Sequence, residues 1–389
     1  MLGKIKDIVP QPLKEIVKFY YERPICNYFG TKYKKKALLS YIKYPFKQVC
    51  FSHTNYFEAR AWANVLHEMG YQVDIISHYF KGKMLKLEKY DIISGFGEVF
   101  KRCFEKPLNK HPLTVSYQTG MHPCYNNYMT LKRIQDACKK KGVWLVDSSR
   151  HVEKHLSQTM LVDAIVVIGN DFAVESYKRY FNGRIYSLPT PFFKTQDALQ
   201  IINERTKDSK KAFLWFGSTG LVHKGLDLCL EYFSQNLEYT LHICGSSLEK
   251  EKEFCKVYEN ELKSPNIIVH GFVDIRSKKF CDILKSCSFV IFPSCSEGGA
   301  PAVITAIGNG GLIPIITKQT AVDTGWQVWI EDFTYEAIEK AIKESQNLSF
   351  GEIKKLQLQI LDFVTLHHGI DRYYSKLKEV FADILKSHI

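Results

Sequence analysis

The residues with the clearest chemical pattern lie between Ser294 and Gly311, in the sequence SCSEGGAPAVITAIGNGG. The apolar run 289–293 precedes them and predicts a short buried strand. Two glycines after Glu297 let backbone amides approach a ligand. Pro301 suits the first turn of a helix, whose N-terminus favours an anion. An acid beside an anion site is expected where the acid faces sugar hydroxyls and the amides hold a diphosphate, so the pattern favours a nucleotide-sugar site.

The segments around this stretch alternate between strands and helices. The predicted elements are strands at 212–216, 239–245, 266–273 and 289–293, and helices at 226–233, 248–262 and 277–285. Alternation at this spacing predicts a parallel, doubly wound sheet. Ligands of such sheets bind at the carboxyl ends of the strands, where the glycine-containing turns would gather.

The pattern of apolar segments in the amino-terminal half predicts a second α/β unit. Its predicted strands are at 48–52, 71–76, 91–94, 113–117, 143–146 and 164–168, with a helix at 58–69 after the first strand. The lysine-rich tract 32–36 is interpreted as a solvated face, because runs of lysine are usually exposed. The chain is therefore expected to contain two α/β domains.

The carboxyl-terminal series resembles the donor-binding half of GT-B glycosyltransferases, in particular the large retaining family 4. The motifs that carry the resemblance are the glycine turn at Gly217, Lys224-Gly225 at a helix start, Gly271-Phe272-Val273, and Pro293-Ser294-Cys295-Ser296-Glu297-Gly298. The resemblance covers residues 210–345 well and the rest loosely. It implies an α/β protein with two Rossmann-like, doubly wound domains that face each other across a cleft.

The resemblance also implies a division of the chain by function. Residues 1–190 are expected to form an acceptor-side domain with a basic N-terminal segment, and residues 191–211 a polar linker. Residues 212–370 are expected to bind the nucleotide sugar, and residues 371–389 to form a terminal helix that returns to the first domain. Tyr374, Leu377 and Phe381 recur at helical spacing in that last segment.

Site residues follow from the resemblance, position by position. Lys224 is expected to meet the diphosphate, the backbone at Val273 the base, and Glu297 the donor sugar. The other expected donor-site residues are Gly217, Ser218, His223, Gly271, Phe272, Ser296, Gly298, Gly299, Ala300 and Thr305. The expected catalytic set is Glu297, Lys224, Gln118 and His122. His53, Asn55 and His151 are candidates for the acceptor or phosphate side.

The sequence departs from the family pattern at three places. Thr305 stands where the family usually has a second glutamate, and its hydroxyl lacks the charge-assisted strength of a carboxylate. Ser218-Thr219 replaces an arginine often found after the first-strand glycine, so phosphate neutralisation would depend on Lys224, helped by His223. Gln118 replaces a histidine and cannot act as a base.

The histidine candidates each have a structural alternative. His122 either folds back over the cleft or lies in a solvated loop. His53 contacts phosphate or acceptor, or caps a loop, and the same alternatives apply to His151.

Composition restricts the class of protein. A length of 389 residues with 45% hydrophobic residues is enough for two domains with full cores. No apolar run approaches the ~20 residues of a membrane helix, and no secretory signal is visible. Eleven scattered cysteines without C-x-x-C spacing indicate free thiols in a reducing cytosol. No Asp-x-Asp metal motif occurs, so we expect no metal and no cofactor apart from the nucleotide-sugar substrate.

Positive charge is concentrated at the amino terminus. The net charge is +12, and residues 1–50 hold eleven Lys or Arg against three Asp or Glu. Leu13, Ile16, Val17 and Tyr20 line one helical face there. This face could lie on an anionic membrane or pack on the first domain, and both interpretations remain open. No aromatic-basic module for nucleic acid is visible.

The sequence thus predicts a retaining, metal-independent hexosyltransferase in the cytoplasm, at the inner face of the cytoplasmic membrane if the basic segment binds lipid. It would transfer sugar from a nucleoside diphosphate to a glycan or lipid-linked acceptor in bacterial surface polysaccharide synthesis, as in O-antigen (lipopolysaccharide) or capsule. The alternatives are a nucleotide-sugar epimerase of the same fold and a non-catalytic relative that binds a glycan or scaffolds a partner.

Overall fold

Twelve strands form two six-stranded sheets in the structure, a computed structural model that describes residues 23–48, 50–51, 53–80, 85–153, 156–245 and 248–387. The strands of the first sheet are β1 (Lys35–Tyr41), β2 (Tyr71–Ser77), β3 (Ile92–Gly95), β4 (Leu113–Gln118), β5 (Ala164–Ile168) and β6 (Arg184–Leu188). The helices between β1 and β6 in the chain are α1 (Asn55–Glu68), α2 (Glu98–Glu105), α3 (Pro123–Lys141), α4 (Leu156–Met160) and α5 (Asp171–Lys178). The strand order is β2-β1-β3-β4-β5-β6.

The second sheet is built from the carboxyl-terminal part of the chain. Its strands are β7 (Ala212–Phe216), β8 (Thr240–Cys244), β9 (Ile267–Gly271), β10 (Phe289–Phe292), β11 (Ile313–Ile316) and β12 (Val328–Trp329). The helices are α6 (Ala198–Glu204), α7 (Leu226–Phe233), α8 (Lys252–Val257), α9 (Glu259–Leu262), α10 (Lys278–Ser286), α11 (Pro301–Gly310), α12 (Tyr335–Gln346), α13 (Phe350–His368) and α14 (Ile370–Lys386). The two sheets confirm the predicted pair of Rossmann-like, doubly wound domains.

The order of the second sheet locates a ligand crevice. It is β12-β11-β10-β7-β8-β9, so the chain winds outward from β7 in one direction and then from β10 in the other. β7 and β10 are parallel neighbours, with Phe213 opposite Phe289 and Leu214 opposite Val290. In open parallel sheets, ligands bind outside the carboxyl ends of the strands where the order reverses. That point lies at the turns after β7 and β10.

Contacts divide the described chain into two compact units. The first takes residues up to Cys50, Asn55–Tyr117 and Leu156–Ile165, and the second takes Phe51–Thr54, Gln118–His155 and the residues from Val166 onward. The second unit has a continuous apolar core in which Phe213, Trp215 and Phe289 are almost completely buried. Residues 191–211, predicted as a linker, contribute α6 to this unit, and Ile201 and Ile202 of that helix are buried.

The first strand differs from the sequence prediction. β1 begins within the lysine tract that we interpreted as a solvated face, and its residues 37–41 are buried. Lys35 and Lys36 precede the apolar residues, so their side chains stay at the surface or its margin while the strand enters the core. The predicted strand at 48–52 is wrong for residues 48, 50 and 51, which lie outside any strand; Val49 and Ser52 lie outside the described residues.

Two further elements correct the prediction. Residues 143–146 form no strand, and a single 3₁₀ turn covers Val146–Ser148. Trp144 and Val146 are exposed, so their apolar side chains do not indicate burial. The single helix predicted at 248–262 is two short helices, because the backbone at Tyr258 leaves the helical region with φ −107° and ψ 25°.

The terminal regions bear on the predicted membrane contact and the predicted returning helix. No helix of the described residues has both the length and the apolar character needed to cross a membrane. The basic amphipathic face at 13–20 lies outside the described residues. α14 contacts β6, and the Tyr186 hydroxyl donates a hydrogen bond of 2.7 Å to Asp383 Oδ2.

Candidate functional site

Two turns meet at the carboxyl ends of β7 and β10, and both belong to the second unit. The turn 217–225 leads from β7 into α7, and the turn 293–300 leads from β10 into α11. The Cys295 amide donates to the His223 carbonyl at 2.9 Å. Gly225 has φ +69°, and a Cβ there would lie 2.4 Å from the Pro293 carbonyl oxygen. Glycine is required at this position because the two turns touch here.

An ion pair joins the two turns. Lys224 Nζ lies 2.5 Å from Glu297 Oε1, and the Ser294 hydroxyl donates to the same oxygen at 2.9 Å. Arg150 Nη1 lies 3.8 Å from the other carboxylate oxygen. The Lys224 and Glu297 side chains are 5% and 7% exposed, whereas that of Arg150 is 45% exposed. The site therefore contains a buried pair of opposite charges and a second cation with access to solvent.

The charges of this cluster determine its protonation. Burial alone would raise the pKa of Glu297, but Lys224, Arg150 and the Lys224 hydrogen bond lower that pKa to about 2. The pKa of Lys224 is lowered by burial, and the charge of Glu297 opposes this shift. Glu297 is therefore an ionised carboxylate at every physiological pH, able to accept hydrogen bonds and unable to donate one.

His223 is a neutral histidine with a defined tautomer. Burial lowers its pKa to about 4. Its Nε2 lies 2.7 Å from the Ser296 carbonyl oxygen, which can only accept, so Nε2 carries the proton. Nδ1 then accepts from the Cys295 thiol at 3.4 Å. His223 thus holds the backbone of the Ser294–Glu297 segment and adds no positive charge for phosphate neutralisation.

The glycines after Glu297 are needed for close packing, against backbone at Gly298 and against the Thr190 side chain at Gly299. A Cβ on Gly298 would lie 2.4 Å from the Thr119 carbonyl oxygen, and one on Gly299 would lie 1.8 Å from Thr190 Oγ1. Gly299 also has φ +67°, which a side chain disfavours. From the sequence, we predicted these glycines only for the approach of a ligand to the backbone. The structure adds a packing requirement on the side where each Cβ would point.

The start of α11 offers unused hydrogen-bond donors. Within the described part of the chain, the N–H groups of Gly298, Gly299 and Ala300 donate to no protein acceptor. The Ser296 hydroxyl is buried and likewise has no partner among those residues. Pro301 occupies the first helical turn, as predicted. Free amides at a helix N-terminus bind anions, so this corner suits a phosphate or a row of sugar hydroxyls.

The glycine turn after β7 already holds a carboxylate. Gly220 and Leu221 donate their amides to Glu251 at 2.6 and 3.0 Å, and the Ser148 hydroxyl donates to the same carboxylate at 2.5 Å. Glu251 is 3% exposed. Gly217 donates its own amide to the Cys244 carbonyl. These amides are therefore occupied, while Ser218 is exposed.

The predicted base-binding segment follows β9. Gly271 has φ +66° and its carbonyl accepts from the Gly245 amide at 2.8 Å. Val273 is buried, and Phe272 is 63% exposed. An aromatic side chain left in solvent at this edge of the sheet provides a surface on which a planar base can stack.

The remaining predicted catalytic residues have structural partners. His122 is 1% exposed and is the N-cap of α3, where Nδ1 accepts from the Cys124 amide at 3.2 Å. Its ring stacks on Tyr180 with centroids 4.0 Å apart, so it does not lie in a solvated loop. Gln118 is 8% exposed; the Tyr177 hydroxyl lies 3.4 Å from its Oε1 but donates its proton at 2.8 Å to the Gly120 carbonyl. Thr305, which was predicted to bind the donor, lies within α11 and is 7% exposed.

The candidates for the acceptor side are surface residues. His53 is exposed, and Asn55 begins α1 with its side chain half-buried. His151 interacts with its neighbours Ser149 and Glu153, at 3.3 and 3.6 Å. Contact with an acceptor or a phosphate stays a prediction for these three residues.

Sequence reasoning missed three members of the cluster. Arg150, Glu251 and the hydroxyl of Ser294 contact the predicted site, but only Ser294 lies within a recognised motif. Arg150 and Glu251 come from distant segments with no local pattern. Among the described residues, no three His, Cys, Asp or Glu side chains are grouped to bind a metal ion.

Comparisons with known proteins support this description. Residues 197–344, more than a third of the chain, match the family model described as glycosyl transferases group 1. No curated protein matches the sequence. HepE from Anabaena, solved in complex with UDP, shares 11% identity over 90% of this chain and 100% of that chain, with a TM-score of 0.58.

Two other solved structures are similar over most of their length. A glycosyltransferase from Rickettsia africae shares 13% identity over 91% of this chain and 100% of its own, with a TM-score of 0.54. WaaG, a glycosyltransferase involved in lipopolysaccharide biosynthesis, shares 13% identity over 88% and 98%, with a TM-score of 0.53. The described chain therefore has the GT-B fold of these glycosyltransferases, and its residues 197–344 match a group 1 glycosyltransferase domain.

Proposed function

We propose that this protein is a glycosyltransferase that moves a sugar from a nucleoside diphosphate to a hydroxyl of a glycan or lipid-linked glycan. The observation that carries the proposal is the buried Lys224–Glu297 pair at the reversal of the strand order. Beside it, the amides of residues 298–300 donate to no acceptor in the described part of the chain. This cluster lies inside the segment that matches the glycosyltransferase domain. A cation and free amides suit a diphosphate, and a permanent carboxylate suits sugar hydroxyls.

The charges suggest how the donor would be held. The Lys224 ammonium is attracted to the diphosphate, while Glu297 accepts hydrogen bonds from sugar hydroxyls. Negative charge develops on the diphosphate as the bond to the sugar breaks, and cations and amide dipoles placed at that charge lower the barrier. Glu297 stays ionised and so cannot protonate the leaving group; its contribution is to orient the sugar.

The finer assignments rest on the resemblance. Retention at the anomeric carbon and a hexosyl donor are what the family 4 motifs around Lys224 and Glu297 imply, and the proposed independence from metal rests on the lack of an Asp-x-Asp motif in the sequence. A role in lipopolysaccharide synthesis is suggested by the similarity in fold to WaaG. A role in capsule synthesis rests on the resemblance alone. Contact with the inner face of the cytoplasmic membrane would use the amphipathic face at 13–20 within the basic segment 1–50.

Nucleotide binding is the first test. Thermal unfolding would be measured with UDP, GDP, CDP, dTDP and ADP, each with and without Mg²⁺. Since only a ligand that prefers the native state raises the melting temperature, one diphosphate should give a rise that grows with its concentration. The same rise with and without Mg²⁺ would support metal independence. The absence of a shift with all five diphosphates would contradict the proposal.

A measurement of sugar transfer distinguishes a glycosyltransferase from a non-catalytic relative and from an epimerase. The departures at Gln118 and Thr305 favour a non-catalytic relative as the second candidate. With the nucleotide identified, the matching nucleotide sugars would be incubated with acceptor glycans, and the anomeric configuration of the product read by NMR. We expect a retained configuration in the wild type and at least a tenfold slower rate in Glu297→Gln. Nucleotide binding without transfer to acceptors, or isomerisation of the donor alone, would favour the non-catalytic relative or the epimerase, respectively.

A further inference from the structure

We propose that Arg150 is the residue that binds the donor diphosphate from outside the glycosyltransferase-like domain, in place of an arginine in the glycine turn 217–220. This inference rests on the proposed function. It assigns a chemical role to a residue that no sequence motif identifies, and its evidence is the position of one side chain relative to the turn, the ion pair and the solvent.

The backbone of Arg150 is fixed to α3. Its amide donates to Thr130 Oγ1 at 3.1 Å, and its carbonyl accepts from Asn126 Nδ2 at 2.6 Å. Two residues earlier, the Ser148 carbonyl accepts from the His223 amide at 3.2 Å. The Ser148–Arg150 segment is therefore held between α3 and the turn that carries Lys224.

The Arg150 side chain crosses the glycine turn. A Cβ on Gly220 would lie 2.5 Å from Arg150 Cγ and 2.8 Å from Cδ. The absence of a side chain at Gly220 leaves the room that the arginine stem occupies. The stem thus passes the turn in which Ser218 and Thr219 provide no positive charge, and the guanidinium extends towards Glu297.

Arg150 is the most exposed cation of the cluster. Lys224 is 5% exposed and is paired with Glu297. His223 is neutral, and the amides of Gly220 and Leu221 are occupied by Glu251. The Arg150 side chain is 45% exposed, and its Nη1 is 3.8 Å from Glu297, too long for a hydrogen bond.

The geometry of a guanidinium suits two partners at once. Arginine has five N–H donors in a planar fork, so one edge can face Glu297 while another donates to phosphate oxygens. A bound diphosphate at Arg150 would then lie next to the sugar-facing carboxylate. The guanidinium would link the diphosphate to the residue that orients the sugar.

Calorimetric titration tests this assignment. The ligands are UDP, GDP, CDP, dTDP and ADP, together with the corresponding nucleosides. Arg150→Gln should bind the preferred diphosphate about 10- to 100-fold more weakly, the loss expected for a hydrogen bond to a charged group. Nucleoside affinity should stay unchanged. Arg150→Lys keeps the positive charge but not the planar fork of donors, so its diphosphate affinity should lie between those of the wild type and Arg150→Gln. Arg179→Gln, an exposed arginine on the C-cap of α5, is the matched control.

A second-site variant tests whether Arg150 takes the place of an arginine in the glycine turn 217–220. Ser218→Arg in the Arg150→Gln background places a guanidinium in the exposed turn and should restore part of the diphosphate affinity. Equal diphosphate affinity in Arg150→Gln and Arg179→Gln would overturn the assignment, as would a parallel loss of nucleoside and diphosphate binding in Arg150→Gln. If the wild type binds no diphosphate, the proposed function itself fails and this inference with it.

Discussion

Lys224 and Glu297 each depend on the other's charge. Both side chains are more than nine-tenths buried, with 2.5 Å between Nζ and Oε1. Removing one partner of such a pair leaves an uncompensated charge in the interior, and Arg150 at 3.8 Å replaces Lys224 only in part. The residues that we expect to bind the donor therefore also stabilise the fold, so loss of activity in a single variant must be separated from loss of folding.

A double-mutant cycle makes that separation. We expect Lys224→Met to lower the free energy of unfolding by about 3–5 kcal/mol, because Glu297 and its desolvation cost remain. Glu297→Gln should also destabilise, because it leaves Lys224 unpaired. The loss in free energy of unfolding of the double variant, measured by urea unfolding at pH 7, should be clearly smaller than the sum of the two single losses. Additive losses would show that the two side chains are not coupled in solution.

Helix ends in the second unit converge on one buried arginine. Arg205, 4% exposed, donates to the Leu284 carbonyl at 2.8 Å through Nη2 and at 3.2 Å through Nε, and Nη2 also donates to the Gly310 carbonyl. These carbonyls belong to the last turns of α10 and α11. Burial lowers the pKa of Arg205 to about 9, so it remains a cation at neutral pH beside the negative ends of two helix dipoles.

Replacing this arginine should loosen both helix ends. We expect Arg205→Met to lower the free energy of unfolding by about 2–4 kcal/mol, because two buried carbonyls lose their donors. Arg205→Lys should lose less, since an ammonium can still satisfy one carbonyl. Arg179→Met, at an exposed helix end, is the control and should change stability by less than about 0.5 kcal/mol. Equal stability of Arg205→Met and the wild type in urea would contradict this account.

The strands that could be predicted from the sequence are those with both faces buried. β4, β5, β7 and β10 are continuous apolar or small-residue runs, and the sequence located each of them. β1 was missed because two lysines open it, and 143–146 was assigned as a strand because an exposed tryptophan resembles a buried one. Both errors arise because sequence pattern cannot distinguish the start of a buried strand from a solvated loop.

In the candidate site, the residues that lie in local motifs could be predicted from the sequence. Lys224, Glu297 and Pro301 lie in turns whose local pattern is strong, and the structure joins the first two directly. Arg150 and Glu251 are brought to the cluster by tertiary contacts from segments that carry no motif. His122 illustrates the opposite case, since a histidine near a strand end proved to cap a helix and stack on a tyrosine.

At the scale of the whole molecule, several buried or half-buried histidines make the fold sensitive to acid. Burial lowers the pKa of His223 and of His242 to about 4 and lowers that of His78, His270 and His368 from the ordinary value of 6.5. The unfolded chain therefore binds more protons than the folded one below pH 6.5. Stability is complete above that pH and is lost as the pH falls towards the folded pKa values.

The loss can be measured above the range in which carboxylates titrate. Between pH 7 and pH 5, we expect His223 and His242 each to remove about 2 kcal/mol from the free energy of unfolding, since both are charged only in the unfolded state there. Glu297 adds nothing in this window, because its folded pKa is about 2 and its unfolded pKa about 4.5. Urea unfolding at half-unit pH steps should give a steep decline in the wild type and a shallower one in His223→Gln, which keeps a donor for the Ser296 carbonyl. A free energy of unfolding that is constant from pH 7 to pH 5 would mean that these histidines are not buried in their neutral form.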